Sequence, residues 1–273
     1  MCGRSGCDSG LVLKDGYAGG VRARQIFAFS GMLVQADDQR SNADLTDYAL
    51  TLTPPATLSR PTRVCYVPTA VGDSPVAIES KRREFATRWP HVEFSVLSLF
   101  TQPSVSDVRS HLLGQDLLLV EGGSVVNLMA VWRAHRLRQV FRECWNAGVV
   151  LAGASAGSLC WHTGGPTDSF GDDPLWAFTD GLALVPYSNS VHDDFPDQPR
   201  RSSYRQMVAA GELPAGYATE DGVGLHYVGD RLHRVVSLRP HSGAWWIEPN
   251  ESRGYIERAV RATDVWSGDK QLS

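Results

Sequence analysis

Nowhere in the 273 residues do about 18 consecutive apolar positions occur, the length a membrane-crossing helix needs. No long Lys/Arg run is present either, and arginine dominates the basic residues. With a net charge of −4, the chain carries no electrostatic footprint for nucleic acid or an anionic membrane. Cysteine is scarce: five residues, an odd number without a spaced framework, which argues against a disulfide scaffold and for a reducing cytoplasm. Cys2 and Cys7 have no His/Cys cluster beside them, so no zinc site is expected. Repeats, low-complexity tracts and Pro-rich linkers are also missing, so residues 24–273 are expected to form one domain. Residues 1–23 hold six glycines and no apolar periodicity, and they lack the apolar core of a signal peptide. They read as a loosely ordered N-terminal extension.

What is present is an alternation of strand and helix patterns. Strand-like segments at 24–29, 62–68, 92–99, 116–120 and 148–152 are nearly continuous in apolar residues. Between them lie helical patterns at 45–52, 74–89, 104–113 and 126–145, the last read as one long amphipathic helix. Apolar strands alternating with helices predict an α/β fold, a mostly parallel sheet covered by helices on both faces. Sites in such sheets form beyond the carboxyl ends of the strands. Two small-residue breaks fall there, Gly122-Gly123 and the stretch after Ala152. Beyond about residue 180 the pattern changes to short strands at 222–227, 231–238 and 244–248.

The most informative segment is Gly153-Ala154-Ser155-Ala156-Gly157, a G-x-S-x-G sequence between an apolar strand and a helix. That is the setting of a nucleophile elbow, where a sharp strained turn presents a serine hydroxyl. The flanking residues must be small because backbone approaches backbone, and the helix start behind the serine supplies free N–H groups. The other use of Ser155 is as a plain helix N-cap.

A serine hydroxyl needs a base to take its proton. Of the eight histidines, His192 stands out by position, in the irregular loop 188–196 after a strand-like run at 181–186; His241 is the second candidate. His162 lies two turns along the elbow helix and points away.

The elbow Gly153–Trp161 resembles that of the peptidase E family. So do Glu121-Gly122-Gly123-Ser124, Thr167-Asp168-Ser169-Phe170-Gly171 and the run from Gly181 to Asp193. The likeness extends from about Ile26 to Glu248. It implies a class I glutamine amidotransferase-like fold and a serine peptidase acting on small peptides, dipeptidase-like and possibly specific for Asp-X. No metal or organic cofactor is implied. Ser155 matches the family nucleophile and His192 its general base. A third, acidic member falls within Ala218–Gly222, with Glu220 the first candidate and Asp221 the alternative. The resemblance places the oxyanion hole at the N–H group of Ala156 and one from Gly122-Gly123, with Gly123 the first candidate. Asp168 is the match for an acidic residue that would bind the substrate amino terminus. Arg200, Arg201 and Arg205 are candidates to pair with a substrate carboxylate, although this segment departs from the best-known aspartyl dipeptidases. An isopeptidase for β-linked aspartyl residues, an α/β-hydrolase-type esterase using His241, and a non-catalytic binding protein are the alternatives. A homodimer is left open.

Overall fold

A computed structural model of the chain describes residues 17–18, 21–31, 41–57, 59–171, 174–260, 262 and 264–265. The expectation for residues 1–23, including Cys2 and Cys7, falls almost wholly outside them; within it, Tyr17–Ala18 pairs antiparallel with Val21–Arg22.

The first half builds a parallel sheet from β1 (Gln25–Phe29), β2 (Arg63–Val67), β3 (Glu93–Val96), β4 (Leu117–Val120) and β5 (Val150–Ala154). Side chains alternate across it with period two. Ile26, Ala28, Cys65, Val67, Leu118, Val120 and Leu151 fill one core. Phe27, Phe29, Val64, Tyr66, Leu117, Leu119 and Val150 fill the other. Helices α1 (Asn42–Thr51) and α2 (Pro75–Arg88) cover the second face, with Leu45, Tyr48 and Phe85 inward. On the first face lie α3 (Val108–Leu113), α4 (Val125–Ala134) and α5 (Leu137–Asn146), through Leu112, Leu128, Trp132 and Phe141. Both faces of the strands are therefore dry, which is why the strands read as apolar runs rather than as alternations.

The single helix expected over 126–145 is two. Arg136 takes a left-handed conformation (φ +58°) between α4 and α5. At 3.6 residues per turn, Leu137 would stand about 140° around a continuous helix from Trp132, and Phe141 about 180°. Breaking the helix re-phases it, so that Phe141 stacks on Trp132 with ring centroids 4.0 Å apart.

The second half begins with the short α6 (Ala156–Leu159) and a hairpin, β6 (Gly165–Thr167) with β7 (Trp176–Phe178). Then follow β8 (Ser188–Ser190), α7 (Arg200–Ala209), β9 (Gly216–Thr219), β10 (Val223–Val228) and β11 (Arg231–Ser237). The described residues close with β12 (Ala244–Asn250), β13 (Gly254–Val260) and β14 (Asp264–Val265). Strands β10, β11 and β14 extend the main sheet to the order β14-β11-β10-β1-β5-β4-β2-β3, with β10 antiparallel to β1 and to β11. The others form a second sheet, β8-β9-β12-β13.

That second sheet corrects the reading of the segment before His192. Residues 181–186 are not a strand; they wrap the end of α6, Leu182 N–H donating to Cys160 O (2.8 Å) and Leu184 N–H to Trp161 O (2.9 Å). The strand is Ser188–Ser190, read from sequence as loop. Two of its three polar side chains are paired inside the protein: Ser188 Oγ with Tyr204 OH (2.8 Å), and Asn189 with Ser158 Oγ (2.8 Å) and Tyr217 O (2.9 Å), while Ser190 Oγ is buried without a partner among the described residues. Burial of paired polar groups carries no large penalty, so this strand needs no apolar pattern.

Candidate active site

The site lies where the carboxyl ends of the two sheets meet. Strand β5 runs between β1 and β4, with Phe29 opposite Ala154 and Val120 opposite Gly153, so Ser155 emerges between the ends of both neighbours. Ser155 has φ +51° and ψ −111°, outside the regions open to an ordinary serine. The turn is enforced by the two glycines around it. A Cβ on Gly153 would stand 2.7 Å from the Gly157 carbonyl carbon, and one on Gly157 2.9 Å from that of Val120. Neither approach is open to alanine, so the G-x-S-x-G spacing is a packing requirement of the elbow.

Strands β8 and β9 are parallel and in register, Ser190 opposite Ala218, and their carboxyl ends deliver His192 and Asp221 side by side. Ser30, just past β1, ties these ends to the main sheet. Its Oγ accepts from His192 N–H (3.2 Å) and lies 2.8 Å from Thr219 Oγ1. Gly222 N–H adds a bond to Gly31 O at 2.7 Å. A Cβ on Gly31 would sit 3.7 Å from Ala154 Cβ and 3.8 Å from His192 Cε1, which places the imidazole beside the elbow. His192 also holds a positive φ of 55°. Two of the non-glycine residues with left-handed backbone therefore meet here, the pattern of strain stored at a functional site.

His192 is buried, and its Nδ1 is bonded to Asp221 Oδ1. A carboxylate only accepts, so Nδ1 donates in this bond, and the tautomer of the neutral imidazole that this bond selects is the one with its lone pair on Nε2. That Nε2 is buried and has no hydrogen-bond partner among the described residues. Asp221 is held in turn: its backbone N–H donates to Asp194 Oδ1 (2.8 Å), while Asp194 Oδ2 faces Arg239 (3.3 Å).

Glu220, the first candidate for the acid, points elsewhere. It accepts from Gly243 N–H (3.1 Å) and from Arg201 (3.1 Å). Successive side chains of an extended segment face opposite ways. Thr219 bonds the Ser190 carbonyl and Ser30, Asp221 continues on that side to His192, and Glu220 turns to the other. Burial raises the Glu220 carboxyl above its ordinary value.

The remaining expected residues are placed as follows. Among the described residues neither the Ala156 nor the Gly123 N–H donates a hydrogen bond, and Gly122 abuts the serine, its Cβ position 3.2 Å from Ser155 Cβ. Asp168 and Arg200, expected to bind opposite ends of a substrate, are paired with each other at 2.5 Å. Arg201 lies 3.2 Å from Asp193 and 3.1 Å from Glu220, over the Trp245 ring. Arg205 is buried between Asp193 (2.9 Å) and Glu257 (2.6 Å). A pocket of about 530 Å³ opens beside the His192 loop, lined by Asp193, Phe195, Arg201, Arg205, Tyr255 and Glu257. Two of those residues belong to β13, a strand the sequence pattern did not announce. His241 is exposed on the turn after β11, far from being a buried base.

The other buried histidines are structural. His162 Nδ1 donates to Ser158 O (2.8 Å) and its Nε2 accepts from Tyr227 OH (2.9 Å). His226 lies between Tyr48 OH and Gln25 Oε1, each at 3.0 Å. Burial holds His162 down to about 4 and His226 down to about 3. An unfolded chain protonates histidine near about 6.5. Below that value the unfolded state thus holds more protons, and stability falls as pH drops toward the folded values. The loss is about 1.4 kcal/mol per pH unit for each histidine. In urea melts between about pH 4.5 and 6.5, His226→Gln is expected to flatten the stability slope by one proton's worth. A slope identical to wild type would contradict a neutral His226.

Among the described residues no helix is long and apolar enough to cross a membrane, and no cluster of three or more His, Cys, Asp or Glu is placed to hold a metal ion. Comparison with known proteins places this geometry in context. The model of peptidase family S51 matches residues 36–235. An uncharacterized peptidase of Bacillus subtilis (strain 168), YgaJ, is 39% identical over 183 residues, covering 67% of this chain and 76% of that protein. A peptidase from an acI-B1 Actinobacterium shares the fold with a TM-score of 0.62 at 18% identity, over 89% of this chain and 96% of the other. So does a candidate peptidase E protein of Listeria monocytogenes EGD-e, with a TM-score of 0.55 at 15% identity, over 88% and 100%.

Proposed function

We propose that this chain, which belongs to peptidase family S51 and is a serine-type peptidase, hydrolyses short peptides through Ser155, His192 and Asp221 by way of an acyl-enzyme. The observation that carries the reading is the buried His192, bonded through Nδ1 to Asp221 and without a partner at Nε2 among the described residues. Ser155 Oγ attacks the peptide carbonyl carbon as its proton passes to His192 Nε2. The C–N bond then breaks, and the imidazolium returns that proton to the departing amine. Water attacks the resulting ester with His192 again as base, and Ser155 leaves as the hydroxyl. Asp221 keeps the imidazole in the productive tautomer and offsets its charge while it is protonated. The oxyanion is received by the N–H groups of Ala156 and Gly123, whose fixed dipoles need no reorganisation as charge develops.

The pocket beside the His192 loop, which neither Ser155 nor His192 lines, is the place proposed for a substrate carboxylate, and its charges bear on specificity. Arg201 and Arg205 already face Asp193, Glu220 and Glu257. A substrate carboxylate would compete with these acids for half-exposed Arg201, where an ion pair contributes at most about 1 kcal/mol. Asp-X peptides are therefore expected to be cleaved within about fivefold of neutral dipeptides. The test is a panel of Asp-X, Glu-X, β-Asp-X and neutral dipeptides, incubated with wild type and with Ser155→Ala. Hydrolysis present in the first and absent in the second is the expected result. Activity surviving in Ser155→Ala would overturn the mechanism, and a large Asp-X preference would overturn the account of the arginines.

A further inference from the structure

Glu121 directly follows β4 and precedes the glycine pair, and its carboxylate makes two bonds that tie the pair in place. Oε1 accepts from Gly122 N–H at 3.0 Å, and Oε2 accepts from the Tyr66 hydroxyl at 2.5 Å. Tyr66 is fully buried in β2. Burial first, and then the adjacent Glu121 charge, push its hydroxyl far above the ordinary tyrosine value, so it remains a donor. The backbone makes the same connection: Glu121 N–H donates to Val67 O (3.2 Å) and Ser124 N–H to Ala70 O (3.0 Å). Gly123 (φ +128°) packs so close to the strand β2 exit that a Cβ would stand 2.5 Å from Ala70 O.

Of the two N–H groups of the glycine pair, that of Gly122, the residue that abuts Ser155, is therefore occupied by Glu121, and that of Gly123 donates to no described residue. We propose that Glu121, anchored by Tyr66, is a positioning residue that takes up the Gly122 N–H and fixes the next peptide so that Gly123 alone supplies the loop's oxyanion donor. This rests on the serine mechanism proposed above. Glutamine can replace the anchor, since its amide oxygen accepts from Gly122 N–H and its NH₂ donates to the Tyr66 hydroxyl oxygen. Alanine removes both contacts and leaves the Gly122–Gly123 peptide held only by the flanking backbone bonds.

The test is the rate at which an ethyl fluorophosphonate labels Ser155, followed by intact mass. In that reaction the Oγ–P bond forms, fluoride leaves, the serine proton passes to His192, and the phosphoryl oxygen needs the same donors as an acyl oxyanion. Losing one such donor outright lowers rates by about 10²–10³-fold, so Glu121→Ala is expected to lower the saturating labelling rate by about 10–100-fold. The half-saturating probe concentration should change by less than about threefold, and Glu121→Gln should recover a rate near that of wild type. Tyr66→Phe should fall between. A Glu121→Ala rate equal to wild type, or a loss that glutamine does not restore, would overturn the assignment. Labelling that persists in Ser155→Ala, or is missing from the wild type, would overturn the serine mechanism itself and this inference with it. Thermal unfolding of each folded variant separates a displaced loop from a lost fold.

Discussion

Replacing Asp221 with asparagine is expected to lower kcat by about 10³–10⁴-fold with little change in KM, while Glu220→Gln costs less than about threefold. The two substitutions remove a charge from adjacent residues at nearly constant volume, so the contrast reads geometry rather than packing. Asparagine at 221 can present its NH₂ to His192 Nδ1. That would place the imidazole proton on Nε2, where it blocks transfer from Ser155. Glu220→Gln instead keeps an amide oxygen to accept from Gly243 N–H and gives up the pairing with half-exposed Arg201, worth at most about 1 kcal/mol of stability. Steady-state kinetics on any cleaved dipeptide, with circular dichroism to confirm folding, decides it. A larger loss in Glu220→Gln than in Asp221→Asn would reverse the assignment of the acid.

The pairing of His192 with Asp221 marks the limit of what the sequence discloses. The elbow was legible because its signal is local: an apolar strand, two glycines and a helix within ten residues. The structure adds only that Gly153 and Gly157 are demanded by the Gly157 and Val120 carbonyls. The parallel sheet was legible because both faces are dry and the strands are apolar throughout. The choice between Glu220 and Asp221 was not, because it depends on which way a single residue faces at the end of β9. A shift of one position reverses that direction, and the resemblance fixed the segment without fixing its register. The strand Ser188–Ser190 was hidden for another reason. Its side chains are polar, those of Ser188 and Asn189 being satisfied by Tyr204, Ser158 and Tyr217, so it carries no apolar alternation. The break at Arg136 had a signal that helix pattern alone did not weigh, the phase jump between Trp132 and Leu137. The pairing of Asp168 with Arg200 had none, since 32 residues separate two charges that each look free in sequence.

Removing both members of the nucleophile–base pair should cost no more than removing one. Ser155→Ala and His192→Ala are each expected to lower kcat by about 10⁵–10⁶-fold, and the double variant by the same factor. The reason is that neither group has a role without the other: a bare Nε2 with no hydroxyl to deprotonate does nothing, and a hydroxyl without a base is a poor nucleophile. Additive losses would mean that one of the two acts independently and that the proposed proton transfer is wrong. The same position links activity to stability. Ser155 is held at φ +51° and ψ −111°, a conformation that costs an L-residue about 1–3 kcal/mol and that glycine adopts freely. Ser155→Gly should therefore unfold at higher denaturant concentration than Ser155→Ala, while both are inactive. The packing around Gly153 and Gly157 offers the elbow no alternative path, so the strain stays in the serine and keeps its hydroxyl presented between β1 and β4. Equal stability of the glycine and alanine variants would show that the turn relaxes once the hydroxyl is gone, and that the backbone geometry depends on the side chain rather than on the glycines beside it.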